Sequence, residues 1–424
     1  MRVSSILLKQ SFLSSAPALV RIFMSFFTNK ILAVALGPAS FAMVAQFQNL
    51  MMAAHAGGSL ALQNGWVSLT AQYKENEEQR LGRWLSGLVL SAVGMLVVAL
   101  LLLVASFTGI FEFLFPTVAP VMLRIALLLA IPGMISMVFI SIAQSVANGF
   151  SAFKLWAAIS MVASVVQGFW VIAFVLWKSE FVFIALSTQS ILALIASLFL
   201  FTNKKLHWQV LRVHSVGFLE WKKFAWMGII PMILSPIILT STRSILGESL
   251  GWHAAGLWQG AFRISDFFSV IFSSVLGVLL LPKLSKFKNE TAFFKTLWSG
   301  LGFVLLIAFG LIALMIAVRE PIVQFVLSEK FISIENKLPI QWVGDFFRCG
   351  SWCLGLGLIV KQAAKTFLAL EIFSQGLFLA LCYIGISFVG ISAPFWAYAI
   401  ENAVSFTLIL FITMRNHFLW KKYH

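Results

Sequence analysis

Acidic residues are scarce in this 424-residue chain, with 15 Asp and Glu against 30 Lys and Arg and a formal net charge of +15. Charge of either sign is thin, at 11% of residues, while 60% are hydrophobic and the mean hydropathy is +0.96. A chain so apolar is a polytopic membrane protein. Its excess of Lys and Arg then reads as a topology signal and an attraction to anionic lipid headgroups, so no nucleic-acid partner is expected. Cysteine is nearly absent. Cys349, Cys353 and Cys382 lie in apolar stretches, with no CxxC and no Cys/His cluster at metal-ligand spacing. That excludes a disulfide framework or zinc site and leaves small packing residues. There is no GxxxxGK[ST], HExxH or GxSxG, and the six histidines are scattered. The chemistries those motifs serve are therefore not expected, and the chain reads as neither an enzyme nor a cofactor protein. A cleavable leader is not expected either. Ala16-Pro17-Ala18 mimics a cleavage site, but Lys9 and Gln10 interrupt the apolar run before it.

Hydrophobic runs are what the chain has in abundance. A crossing needs ~20 apolar residues. Residues 31–73 contain no Asp, Glu, Lys or Arg, which is too long for one helix, and Gly37-Pro38 marks a turn inside the run. Twelve spans are expected, near 5–35, 40–70, 84–106, 120–147, 153–177, 181–202, 224–246, 253–282, 294–318, 338–360, 366–387 and 394–414. All connections are short except 203–223 and 319–337, so no soluble domain is expected. The 42 Phe and 15 Trp are read as lipid-facing packing and interface anchors.

With both ends placed in the cytoplasm, 20 of the 30 basic residues fall at one face and only Lys178, Arg319, Lys330 and Lys337 at the other. The positive-inside rule makes the richer face cytoplasmic. The chain also echoes itself. A shift of 214 residues lays Ile31, Leu32, Leu36 and Gly37 over Ile245, Leu246, Leu250 and Gly251, and Phe153 over Phe367. The expected fold is therefore all-α, with two six-helix lobes, 1–210 and 211–424, related by a parallel repeat around a central cationic cavity.

Six basic residues, Arg21, Lys30, Arg124, Arg243, Arg263 and Arg348, lie inside apolar segments. A charge at the bilayer centre costs ~2.5–3.5 kcal/mol on insertion scales, so such residues snorkel, pair or line a hydrated cavity. Arg21 and Lys30 on span 1 and Arg243 on span 7, which correspond under the repeat, are candidate cavity cations. Arg263 with Asp266, and Asp345 with Arg348, are three residues apart and can pair along a helix face. Glu371 and Glu401 lack a nearby opposite charge; each is either a protonatable coupling site or a carboxylate paired across helices. Arg124 reads as snorkelling outward, and His55 as a satisfied core histidine, with pore lining as its other reading.

Several segments resemble a known family. These are Gly256-Leu257-Trp258-Gln259-Gly260, Ile264-Ser265-Asp266, Leu280-Leu281-Pro282-Lys283-Leu284-Ser285, Leu327 to Phe331, Gln341 to Asp345, Lys361 to Lys365 leading to Glu371, and Lys30 to Pro38. Together they look like Wzx-type polysaccharide-repeat flippases of the multidrug/oligosaccharidyl-lipid/polysaccharide exporter superfamily, and most like the enterobacterial lipid III type. The resemblance implies two six-helix lobes in the bacterial inner membrane with both termini cytoplasmic. It implies alternating-access transfer of an undecaprenyl-diphosphate-linked oligosaccharide, an enterobacterial common antigen or O-antigen unit, to the periplasmic leaflet. Arg21, Lys30 and Arg243 carry over as basic positions for the diphosphate, with Arg263 grouped beside them. A glycan polymerase and chain-length regulator are the implied downstream partners. No cofactor is implied, and coupling to a proton or sodium gradient stays open. A drug or metabolite antiporter of the same superfamily is the nearest alternative; a membrane glycan polymerase or ligase is a weaker one.

Overall fold

The computed structural model describes residues 2–200, 216–276, 280–284, 290–361 and 363–423. Most of the basic linker, 203–215, and the residues Ser285, Lys286, Lys288 and Gln362 therefore lie outside the described residues. The described helices are α1 (Arg2–Ser59), α2 (Gln63–Gln72), α3 (Glu77–Thr108), α4 (Pro120–Gly149), α5 (Phe153–Trp177), α6 (Val182–Leu198), α7 (Val216–Leu250), α8 (Trp252–Val275), α9 (Leu281–Leu284), α10 (Glu290–Ala317), α11 (Arg319–Val326), α12 (Leu338–Val360), α13 (Ala364–Val389) and α14 (Ala393–Tyr423). No strand occurs among the described residues. An all-helical answer follows from the solvent: in hydrocarbon each backbone N–H and C=O must be satisfied within its own segment.

Eight helical stretches among the described residues are long and apolar enough to cross a membrane. Two of them, Ala16–Gln72 and Lys365–Arg415, hold 57 and 51 residues, each more than twice the ~20 that one crossing needs. The chain turns inside both. Gly37 takes φ 72° and ψ 178° within α1, and Gly390 takes φ 54° between α13 and α14. Gly251, the residue laid over Gly37 by the 214-residue shift, has φ 86° and ψ 152° between α7 and α8. Both glycines use a conformation that an L side chain resists. Local signals set other boundaries. Asn76 caps α3 by accepting from the Gln79 amide at 3.1 Å, Glu77 and Glu78 fill its first turn, and left-handed Gly109 ends it. Pro120 opens α4, where its missing N–H costs nothing.

The chain forms two compact units, one of residues 1–36 and 43–239, the other of 37–42 and 240–424. In the first unit α4 is the central packing element, touching α2, α3, α5 and α6. Small residues make this closeness feasible. A Cβ on Gly133 would fall 1.9 Å from the Ser187 carbonyl oxygen on α6, and one on Gly94 would fall 2.8 Å from the Gly57 and Gly58 carbonyl oxygens. At one end of the unit Trp221 is fully buried over Gly87 and against Trp66, with ring centroids 4.9 Å apart. Its indole N–H donates to the Arg83 carbonyl at 2.9 Å. The Arg83 guanidinium in turn donates to both Glu220 carboxylate oxygens, at 2.8 and 3.0 Å, and to the Tyr73 hydroxyl at 2.8 Å.

In the second unit α12 packs on α14, α10 and α8. The 37–42 segment seats on α8, where a Cβ on Gly256 would lie 1.8 Å from the Pro38 carbonyl oxygen. The stretch 319–337, one of the two long connections, is folded. It holds α11 and a 3-10 turn at Glu329–Ile334, and it buries Val323, Leu327, Phe331 and Ile334. Four apolar side chains with one inward face form a packed plug, and Phe331 meets Phe41 edge-on at 5.5 Å.

Candidate functional site

Among the described residues, the second unit holds buried charge on three helices, Arg243 on α7, Asp345 on α12 and Glu401 on α14. Arg243, near the end of α7, is 1% exposed. A guanidinium so deeply placed has no bulk water and must be met by protein acceptors. Its Nη1 donates to Gln259 Oε1 on α8 at 2.5 Å, and its Nη2 lies 3.5 Å from Thr240 Oγ1 one turn earlier. Gln259 belongs to the segment that carried the family resemblance, although its role as the Arg243 acceptor has no signal in the sequence. The 214-residue shift places Arg243 over Asn29, which is buried and donates to the Ser25 carbonyl at 2.7 Å. The polar position thus recurs in both halves, but only the second half makes it cationic.

One and two turns along α8 from Gln259 come Arg263 and Asp266, at a spacing that keeps all three on one face. Arg263 Nη1 lies 3.6 Å from Asp266 Oδ2, and both side chains keep partial exposure. The next residue round the helix, Ser265, turns to α12 and donates to Asp345 Oδ2 at 2.6 Å. Asp345 is inaccessible to solvent. Its other oxygen accepts from the Tyr398 hydroxyl of α14 at 2.7 Å and lies 3.8 Å from Arg348 Nε on its own helix. Arg348 also stands over the Trp352 and Tyr398 rings, at 4.8 and 5.6 Å. Asp345 therefore ties α8, α12 and α14 together, and close packing assists: a Cβ on Gly344 would meet the Tyr398 ring at 2.4 Å.

Glu401 sits one turn after Tyr398 on α14. It is buried and accepts from Ser374 of α13 and, at 3.0 Å, from Ser405. Glu371 is half-buried and accepts from Gln375 at 3.2 Å. Hydroxyl donors, rather than a cation, satisfy the Glu401 carboxylate. Tyr398 carried no sequence signal beyond its helical spacing from Glu401.

The remaining candidates lie in the first unit. On α1, Arg21 is exposed and Lys30 half-buried. Arg124 donates to the Ser106 carbonyl at 3.1 Å and stands 5.9 Å from the Phe107 ring. His55 meets the Ser141 hydroxyl at 3.3 Å. The three cysteines are buried and free, and no group of His, Cys, Asp and Glu able to hold a metal ion occurs among the described residues.

Eight apolar helical stretches of crossing length among the described residues define a multi-pass membrane protein. Its fold is that of the MOP-superfamily transporters. An inward-facing multidrug resistance transporter of the MATE family superposes with a TM-score of 0.76 at 14% identity, covering 96% of each chain. The lipid II flippase MurJ in an inward closed conformation superposes with a TM-score of 0.72 at 16% identity, covering 95% of this chain and 87% of that one. The chain belongs to the polysaccharide biosynthesis protein family, which matches residues 7–288. A lipid III flippase of Escherichia coli (strain K12) is 23% identical over 98% of this chain and 99% of its own length.

Proposed function

We propose that this protein is a flippase that moves a polyprenyl-diphosphate-linked oligosaccharide across a bacterial inner membrane, from the cytoplasmic to the periplasmic leaflet. The supporting observation is the end-to-end similarity to a lipid III flippase within the polysaccharide biosynthesis family. The physical problem fits a transporter without catalytic machinery. Sugars and a diphosphate cannot cross ~30 Å of hydrocarbon unaided, and the lowest-cost route replaces their hydration with cationic hydrogen-bond donors. Arg243 is the most deeply buried of the candidate donors, and the same reading assigns Arg21, Lys30 and Arg263 to the diphosphate. The lobes 1–210 and 211–424 move against each other in alternating access. The Asp345 network and Glu401 are the carboxylates at which a proton or sodium gradient acts. The termini are cytoplasmic, following the 20-to-4 basic asymmetry. The substrate is an enterobacterial common antigen unit or an O-antigen unit. A downstream polymerase and chain-length regulator receive the product.

The test is complementation. The chain is expressed in strains lacking the flippase for enterobacterial common antigen or for O-antigen, and surface glycan is measured with membrane levels checked by blot. Restoration in one strain names the cargo. Restoration in neither, with the protein present in the membrane, overturns the reading.

A further inference from the structure

Two charges of the second unit are not satisfied by protein. Arg348 stands near the middle of α12, a helix long and apolar enough to cross the membrane. Asp345 lies 3.8 Å from its Nε, beyond hydrogen-bond reach. Among the described residues the Arg348 guanidinium donates no hydrogen bond, and its other contacts are the rings of Trp352 and Tyr398. Asp266, past the middle of α8, repeats the pattern. Arg263 Nη1 stays 3.6 Å away, and the Asp266 carboxylate accepts no hydrogen bond among the described residues. The Asp266 side chain is 37% exposed and that of Arg348 16%, and the two lie within electrostatic reach of each other. Arg243, Asp345 and Glu401 differ, since each is hydrogen-bonded by neighbouring side chains.

Trp352 follows Arg348 by one turn of α12, with the guanidinium 4.8 Å from its ring centre. It is 36% exposed, and its indole N–H donates to no described residue. Four-residue spacing puts Arg348 and Trp352 on one helix face. Val343, 46% exposed, is nine residues from Trp352, two and a half turns away, and so faces the opposite side. That side is apolar and suits lipid. The side with Arg348 faces a space for water or a polar ligand, because an ion at membrane depth without such contact is costly.

A cationic donor, an anionic acceptor and an aromatic face therefore come together on α8 and α12. This set discriminates among occupants. Hydrocarbon uses neither charge, and a diphosphate is repelled by Asp266. A pyranose ring uses all three. Its hydroxyls both donate and accept, and its weakly positive C–H face suits the negative face of an indole. We propose that Arg348, Trp352 and Asp266 form a saccharide subsite, in which a pyranose of the cargo packs on Trp352, accepts from Arg348 and donates to Asp266. The proposal rests on the reading above that the cargo is a lipid-linked oligosaccharide, and it assigns the sugar to side chains other than those assigned to the diphosphate.

The test measures binding to the full-length protein in nanodiscs of phosphatidylethanolamine and phosphatidylglycerol. The probes are farnesyl diphosphate and its conjugates with N-acetylglucosamine and with galactose. At least one conjugate should bind about tenfold more tightly than farnesyl diphosphate, the worth of one aromatic contact. Trp352→Leu should erase that gain and Trp352→Tyr should keep part of it, while both leave the affinity for farnesyl diphosphate unchanged. Val343→Leu, on the opposite face, should alter neither affinity. If Trp352→Leu does not reach the membrane, Asp266→Ala decides in the same assay, with an expected loss of the gain. Equal affinity for all three probes in the unaltered chain, or a sugar gain that survives both Trp352→Leu and Asp266→Ala, overturns the proposal. Failure of the transport reading registers separately, as absence of complementation by the unaltered chain.

Discussion

Asp345 offers the sharpest quantitative test of the buried charge. The perturbation is Asp345→Asn, which keeps the shape and removes the charge. In the native protein this carboxylate takes hydrogen bonds from Ser265 at 2.6 Å and Tyr398 at 2.7 Å, and faces Arg348 at 3.8 Å. Breaking one side of a buried pair leaves an uncompensated charge, at about 3–5 kcal/mol. Arg348 retains two aromatic faces and 16% side-chain exposure, so the lower end, ~3 kcal/mol, is the expected loss. Ser265→Ala and Tyr398→Phe each remove one hydrogen bond to a charged group and should cost about 1.5–3 kcal/mol. The three residues share one network, so the losses should not add: Ser265→Ala in the Asp345→Asn background should cost clearly less than alone. The assay is thermal and denaturant unfolding of the purified protein in detergent, run as a double-mutant cycle. Arg348→Gln combined with Asp345→Asn should recover part of the loss. Wild-type stability for Asp345→Asn, or strict additivity with Ser265→Ala, would refute the reasoning.

Four further outcomes are expected. Arg243→Lys should retain part of the surface glycan in the complementation assay, because Lys cannot reproduce a planar fork of donors, and Arg243→Ala should lose it at normal membrane level; full glycan from an Arg21→Ala, Arg243→Ala double variant would rule out a cationic phosphate site. Gly256→Ala should lower membrane yield sharply, since its Cβ would stand 1.8 Å from the Pro38 carbonyl oxygen, whereas Gly302→Ala, with nothing within 4 Å, should be neutral by the same blot. Trp221→Ala should destabilise by about 3–5 kcal/mol through the cavity it leaves, but the partly exposed Arg83–Glu220 pair should show a coupling of only about 1 kcal/mol or less in a double-mutant cycle. Reporter fusions at Glu112 and Ser333 should read periplasmic and those at Gln79 and Asn289 cytoplasmic; inversion at two of these sites would sink the topology.

The sequence by itself determined what depends on neighbours along the chain. Hydropathy laid out the long apolar helices because a bilayer demands a run of fixed length from each crossing. Gly37-Pro38 announced the turn inside the first long run, and its positive φ is the kind of conformation glycine alone enters freely. The Arg263–Asp266 and Asp345–Arg348 pairs were legible because three residues is nearly one helical turn. Tertiary structure decided everything that depends on how one helix is rotated against another. Gln259 meets Arg243 from 16 residues away, Ser265 meets Asp345 from 80, and Tyr398 from 53. No period in the sequence encodes those meetings. The same holds for the strained break at Leu60–Ala61, where neither residue type signals a left-handed turn, and for the folded plug at 319–337, whose apolar residues find a common face only against α8 and Phe41. Spacing along a helix is set by its 3.6-residue turn, but the angle between helices is set by the close contact of small residues and by which buried polar groups must find partners.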